Sequence, residues 1–546
     1  MRTVVHPDRP DRNGLLRCSN AHEPFQRARG FATQGAMHLG DWLGRRAALT
    51  PDKVALLDNG AGGRAVTYRA WDRTANRTAH FLKERLGVRR GDRVAALAMN
   101  DVAMLDLWFA CGKLGAIFTP LNYRLTPGEL GRYLAATTPE VLVYGPEFSA
   151  TTEAIRREAS FVPRVFVAMQ GASRMRGDDV DLGERDAAAD RPPPALQIGW
   201  DEPWVLCGTG GTTGTPKAAM LTYRSITANA VNTISSWGLS SSDVALLNAP
   251  LFHTGGLNVF TAPLVLAGGT SVVCRAFDPD EVYTGVRDQG VSVFFGVPTM
   301  FLSLSQHRRF GEGELGSLRI CISGGAPCPE PLFHTYWERG IDLKTGYGLT
   351  EAGPNNFWLP PGDVRRKVGS VGAPLFFVEA RVVDAARESV APGEVGELEV
   401  RGPHVFGGYW GRPEETAKVL DDGWLRTGDL ARCDDEGHFY IAGRSKDLII
   451  SGGENVYPAE VEAVLAGHPA IAEAALIGVP HDKWGQVGRA IVVLAPGASP
   501  DAEPILAHCR ARLAKYKVPQ SVVFVRELPR TGAGKIDKKA LEKQHG

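Results

Sequence analysis

Between Asp92 and Gly145, short apolar runs alternate with amphipathic segments at a pace that leaves few architectures open. "DRVAALAM" reads as a strand, "MLDLWFACGKLGA" as a helix, "AIFTPLN" as a strand, "PGELGRYLAATT" as a helix and "EVLVYG" as a strand. Such alternation predicts an α/β fold, a parallel sheet with helices packed on its faces. Further on, "VSVFFGVPT", "LRICISGGAP" and "IDLKTGYGLTE" each run from an apolar strand into a small or polar turn. In open parallel sheets ligands collect beyond the carboxyl ends of the strands. The three turns are therefore expected to line one cleft.

The texture changes after Leu375. "FFVEARVVD", "GELEVRG", "HFYIAG" and "DLIISGG" are short β-like runs separated by Gly and Asp turns, which predicts a small β-barrel-like subdomain. A compact α+β unit follows Gly443: helix "AEVEAVLAGH", strands "IAEAALIGVP" and "RAIVVLAPG", helix "PILAHCRARLA", then a Gly-containing turn and a basic helix in "LPRTGAGKIDKKAL". "RSKD", Arg444 to Asp447, reads as a hinge. The expected division is a flexible extension over 1–36, a large domain over 37–443 and a small mobile lid over 444–546. Met37 offers an alternative start.

Bulk composition narrows the function. The 546 residues exceed one ordinary core. The 61 basic and 61 acidic side chains cancel, so no global field favours nucleic acid or an anionic membrane. The eight cysteines are scattered, without a CxxC pair or zinc-ligand spacing, which is the usage of a reducing cytoplasm. The apolar stretch "VFTAPLVLAGGTSVVC" is broken by Pro263, Gly268 and Gly269 and is too short to span a bilayer.

Three segments carry chemistry. "CGTGGTTGTPKAAM", Cys207 to Met220, sets glycines and threonines ahead of Lys217. Glycines let backbone N–H groups approach an anion, hydroxyls add donors, and the lysine adds a point charge. It is not a Walker A loop, because Thr215 and Pro216 follow Gly214. On composition it suits a polyphosphate about as well as it suits a surface turn that binds nothing. "GYGLTEAG", Gly346 to Gly353, offers an aromatic face in Tyr347, a hydroxyl in Thr350 and a carboxylate in Glu351. One carboxylate plus substrate phosphates is a usual way to hold Mg2+. The bland alternative is a strand end with a core tyrosine and a solvated glutamate. In "WLRTGDL" and "GRSKD", Asp429 could accept two ribose hydroxyls and Arg444 could bond a ribose or phosphate. Taken singly, each reads as readily as a turn aspartate and a hinge arginine.

Together these segments resemble the AMP-forming acyl-adenylate superfamily: acyl- and aryl-CoA synthetases, peptide-synthetase adenylation domains and luciferase-type enzymes. The likeness runs from about Met37 to the C-terminus and keeps the motif order "TGGTTGTPKAA", "PLFHTGG", "GVPT", "SGGAP", "YGLTEAG", "WLRTGDL", "GRSKDLIISGGENVYPAEVE", "PRTGAGKID". The resemblance implies that Thr209, Gly211, Thr212, Thr213, Gly214 and Lys217 wrap the ATP phosphates. It implies that Gly324, Gly325, Ala326 and Tyr347 frame adenine, that Thr350 contacts phosphate, and that Glu351 holds Mg2+. Asp429 is implied at the ribose with Arg444 nearby, and Lys535 between carboxylate and α-phosphate. Lys446 matches the hinge, and His253 the acyl carboxylate or its tunnel, though a core histidine is an equal reading. Gly452 and Gly453 are implied to leave room for the CoA thiol arm once the lid has rotated.

Gly210 and Ala218 depart from the usual hydroxyl residue and glycine of the phosphate loop. Gly210 removes a donor, so weaker ATP binding is expected. Relatives that activate amino acids carry an aspartate where this chain has His253, so an α-amino acid is not expected. Thr254, Gly255, Gly256, Leu257, Val297, Thr299 and Met300 are apolar or small and imply a tunnel for a hydrophobic acid, fatty first and aryl or arylalkanoic second. The expected reaction is acid activation by ATP followed by thioester formation with CoA. The alternatives are a stand-alone adenylating enzyme that loads a phosphopantetheinyl carrier protein in trans, and a non-catalytic nucleotide-binding relative. A homodimer is compatible with the resemblance.

Overall fold

The computed structural model describes residues 39–169, 177–209, 217–531 and 535–546. The 1–36 extension and Gly210, Gly211, Thr212, Thr213 and Gly214 lie outside the described residues.

Two seven-stranded sheets dominate the chain up to Thr345. One runs in the order Leu343–Thr345, Ile320–Ser323, Val293–Gly296, Val244–Leu247, Thr270–Val273, Val54–Asp58, Arg64–Thr67. The other runs Val180–Asp181, Val165–Ala168, Val141–Tyr144, Arg93–Leu97, Ile117–Pro120, Pro203–Thr209, Lys217–Thr222. Each is parallel except for its last pair, which is antiparallel. The predicted strands and helices between Asp92 and Gly145 are all present.

The helix Val102–Leu114 departs from the amphipathic expectation, because every one of its residues is buried. It is covered by the helix Tyr68–His80 on one side and by the strands Ile117–Pro120 and Pro203–Thr209 on another. A helix enclosed all round has no polar stripe to show. Its two ionic residues are paired instead: Lys113 with Asp41 and Asp72, the latter at 2.7 Å, and Asp106 with Arg185 at 3.0 Å. Burial pushes the Asp106 carboxyl up to about 6. Trp71, Trp108, Phe109, Trp204 and Tyr223 pack ring on ring around this helix. Each such side chain contributes about 1.5–3 kcal/mol of burial or more.

The barrel-like subdomain takes the form of a five-stranded antiparallel sheet built from Glu379–Val383, Val395–Arg401, Leu420–Asp421, Trp424–Cys433 and Phe439–Arg444. The α+β unit is a second five-stranded sheet with its own apolar core around Val461, Leu465, Leu476, Ala490 and Ile505. It adds a parallel strand, Ser521–Val525, that the sequence pattern does not announce. The seven cysteines among the described residues are all free. Among the described residues no helix is long and apolar enough to cross a membrane.

Candidate functional site

Register brings the three turns together. Gly296 aligns with Ser323, and Ser323 with Thr345, so adjacent parallel strands end at one level. The backbone continues that alignment, with Gly324 N–H donating to Gly296 O at 3.0 Å and Gly346 N–H to Ser323 O at 2.8 Å. Gly324, Gly325 and Ala326 thus leave the sheet beside Tyr347, at the edge where such folds bind ligands.

Tyr347 donates its hydroxyl to Asp429 Oδ2 at 2.7 Å, and Arg444 Nε meets Asp429 Oδ1 at 2.8 Å. Asp429 sits inside the ten-residue strand Trp424–Cys433 and faces Arg444 in register on the neighbouring strand. The turn and hinge readings of these two residues therefore give way to a cross-strand ion pair. Asp429 is buried, and burial raises its pKa, opposed by Arg444 and by the Tyr347 hydrogen bond.

A second network starts at Glu351. Its Oε1 accepts from the Tyr409 hydroxyl at 2.8 Å. The Tyr409 ring lies under the Lys217 ammonium at 4.8 Å, and Lys217 pairs with Glu415 at 2.5 Å. Thr209 pairs across the hairpin with Lys217, so both described ends of the phosphate-loop motif converge here. Tyr409 in "GGYW" and Glu415 in "RPEET" were not among the sequence candidates. An aromatic and a carboxylate flanking Pro413 in a basic-acidic run carry no chemical signature by themselves.

Lys535 joins these groups. Desolvation lowers its pKa, as do Arg444 and then Lys446, while Asp429 and Glu351 oppose the shift. The same ammonium acts on His253, whose imidazole is pulled down to about 4 by burial first and then by Lys535 and Arg124. His253 is therefore neutral at ordinary pH, and its Nε2 is buried without a hydrogen-bond partner. Thr350, the Thr254 backbone and the Phe252 carbonyl are polar neighbours of buried Cys207, whose thiol burial pushes up to about 12. Lys535, His253, Glu351 and Asp429 thus share one electrostatic neighbourhood, although 535 lies 184 positions beyond 351 in the chain.

Gly452 and Gly453 stand apart. They occupy an exposed turn between Ile449–Ser451 and Glu454–Val456, with Gly452 beneath Trp484. A Cβ at Gly452 would lie 2.6 Å from that ring, which only glycine avoids.

The surroundings of His253 are built differently. After Val244–Leu247 the chain runs through Asn248 to Phe252 and His253. Asn100 holds this turn, donating to Ala249 O at 3.0 Å and accepting from Leu251 N–H at 2.8 Å. Phe295 lies between two glycines, where a Cβ on Gly255 would be 3.3 Å from its ring and one on Gly324 3.0 Å. Next to it is a cavity of ≈ 10 Å3 lined by Asn248, Gly255, Val259, Phe260 and Phe295 among others. That is room for about one water-sized group. A larger cavity, ≈ 150 Å3, lies beside Lys113 and Pro192–Pro194 and shares no residue with this cluster.

A single carboxylate with a free oxygen suits a hard cation such as Mg2+. Among the described residues no three His, Cys, Asp or Glu side chains gather to hold a metal alone. A magnesium ion would therefore rest on Glu351 and on nucleotide phosphates, where it would neutralise part of the triphosphate charge.

Comparison with known proteins places the chain in a family. Residues 43–410 match the family model described as AMP-binding enzyme, and 460–535 match the AMP-binding enzyme C-terminal domain. A feruloyl-CoA synthase of Amycolatopsis sp is 45% identical over 508 residues, covering 93% of this chain and 99% of that protein. A long-chain-fatty-acid–CoA ligase of Mycobacterium tuberculosis is 36% identical over 510 residues, covering 93% and 98%. The crystal structure of ATP-bound MatB from Rhodopseudomonas palustris superposes with a TM-score of 0.84 at 32% identity, covering 93% and 99%. With both family models matched in order and relatives aligned almost end to end, the chain belongs to the AMP-binding enzyme family, as an AMP-forming acid–CoA ligase that activates a carboxylic acid with ATP and passes it to CoA.

Proposed function

We propose that the acid is a rigid aryl-substituted one rather than a long alkyl chain, and that Lys535 completes the adenylation site. The geometry that favours the aryl reading is the flat Phe295 ring set between Gly255 and Gly324 beside a small void of ≈ 10 Å3, a surface on which a planar ring can stack. The 45% identity to feruloyl-CoA synthase, against 36% to the fatty-acid ligase, points the same way.

A carboxylate is a poor acyl donor because its leaving group would be oxide. In the first step a carboxylate oxygen attacks the α-phosphorus of ATP. The bond from that phosphorus to the bridging oxygen breaks, and pyrophosphate leaves. Negative charge gathers where the acid meets the triphosphate. Lys535 and Lys217 are the ammonium groups set to stabilise it, Lys217 from a half-buried position and Lys535 from an exposed one. Tyr347 and the Gly324–Ala326 turn would flank the base, and Asp429 would accept the ribose hydroxyls. Neutral His253 would donate to the acid from Nε2, now unpartnered. In the second step the CoA thiolate attacks the acyl carbon, a C–S bond forms, and AMP leaves with the former carboxylate oxygen. The Gly452–Gly453 turn would reach the cleft only for this step, by rotation about Lys446.

The test is a panel of hydroxycinnamic, arylacetic and straight-chain acids scored for AMP release, run without acceptor, with CoA, and with a phosphopantetheinyl carrier. Turnover of aryl acids well above alkanoates, dependent on CoA, is expected. A preference for alkanoates of twelve carbons or more would overturn the aryl reading.

A further inference from the structure

Asn248 is 3% exposed, at the carboxyl end of the strand Val244–Leu247. Its Nδ2 has only a weak acceptor, the Met300 sulfur at 3.4 Å, and its Oδ1 is buried with no hydrogen-bond partner. Leaving a buried amide oxygen unpaired forfeits its hydration with nothing in return, so such an atom calls for an explanation. It lines the small cavity beside Phe295, whose other walls, Leu246, Val259 and Phe260 among them, are apolar. The void has room for about one water-sized group, which is the size of a hydroxyl. Asn100 locks the adjoining Ala249–Leu251 backbone, so Asn248 is held in place.

We propose that Asn248 is a specificity-determining residue that reads a hydroxyl at the far end of the acid: a ring O–H donates to Oδ1 while the ring lies toward Phe295 and the carboxylate toward His253 and Lys535. This rests on the aryl reading above and sharpens it to an acid with a hydroxyl opposite its carboxyl-bearing chain. A site built around a hydrogen-bonding amide rejects the analogue that lacks the hydroxyl, because the amide is again left unpaired. A methoxy group at the same position cannot donate and is too large for a void with room for about one water-sized group.

The experiment compares kcat/KM for 4-hydroxycinnamate, 4-methoxycinnamate and cinnamate in the full-length enzyme, in Asn248→Leu and in Asn248→Ser. Wild type is expected to favour the 4-hydroxy acid over cinnamate by ~10–100-fold, the scale set by leaving one buried acceptor unpaired. Both variants are expected to bring that ratio close to one. The ratio is taken within each enzyme, so a lower folded fraction cancels. A wild-type preference that survives both substitutions overturns the assignment to Asn248 while leaving the aryl reading intact. Failure of wild type to use any of the three acids, with alkanoates turned over, overturns both.

Discussion

Under the function proposed above, the nucleotide side and the acyl side of the cleft meet at Lys535, and they differ in how their polar atoms are satisfied. On the nucleotide side the groups are already paired with one another: Lys217 with Glu415, Glu351 with Tyr409, Asp429 with Tyr347 and Arg444. On the acyl side His253 Nε2 and Asn248 Oδ1 are buried and unpaired, the latter among mostly apolar walls. A charged site cannot be left bare, because an isolated buried charge is far more costly than a neutral amide without a partner. Internal partners therefore stand in for phosphate and ribose, whereas the acyl half can hold neutral groups in reserve.

Lys535→Ala should break the junction between the two halves most severely. Adenylate formation should fall ~10²–10³-fold, the scale of removing one charge-stabilising donor, with thioester formation from preformed adenylate changed far less. Single-turnover measurement of each step checks this, and equal slowing of both would refute the division of labour.

Acid titration sharpens the contrast next. His253 and His404 both have folded pKa values near 4, against 6.5 when free. The unfolded chain therefore binds more protons between those values. Stability should be full above pH 6.5 and decline as pH falls toward 4, by ~3 kcal/mol for each ring. Denaturant melts across that window should show His253→Gln removing about half of the loss that His253 and His404 contribute. An unaltered pH dependence would mean that His253 is not held neutral by its surroundings.

Narrowing the apolar wall tests the acyl half alone. Gly255→Val adds bulk where even a Cβ would come within 3.3 Å of Phe295. We expect kcat/KM for the aryl acid to fall ~10–200-fold, the range for a misfit in an apolar pocket, with the KM for ATP little changed. A matching rise in the KM for ATP would show the two halves to be less separate than drawn here.

The smallest effect belongs to the stand-in partner. Glu415→Gln frees Lys217 from a partly exposed pair worth at most ~1 kcal/mol, so the KM for ATP should drop by no more than ~5-fold. A higher KM would assign Glu415 a part in binding ATP instead of competing with it.

Much of this was legible in the chain. Alternation between periods of two and about 3.6 residues marked the sheets and their helices, since side-chain direction follows backbone type locally. Tyr347, Glu351, Asp429 and Lys535 stood out because unusual residues flanked by glycine in a fixed order are rare by chance. Asn248, Phe295, Tyr409 and Glu415 did not, because asparagine, phenylalanine, tyrosine and glutamate in ordinary surroundings give no local sign. The sequence pattern marks Val102–Leu114 as a helix, but its burial on every side depends on which layers cover it.

The order of motifs and the alternation of elements were thus properties of the linear chain, set by local sterics and by where glycine and charge were placed. The tertiary structure alone decided that Asp429 faces Arg444 across two strands, that Phe295 lies between Gly255 and Gly324, and that one amide oxygen at residue 248 is left without a partner. Those outcomes depend on strand register and on contacts between residues tens to hundreds of positions apart, which no local window of sequence contains.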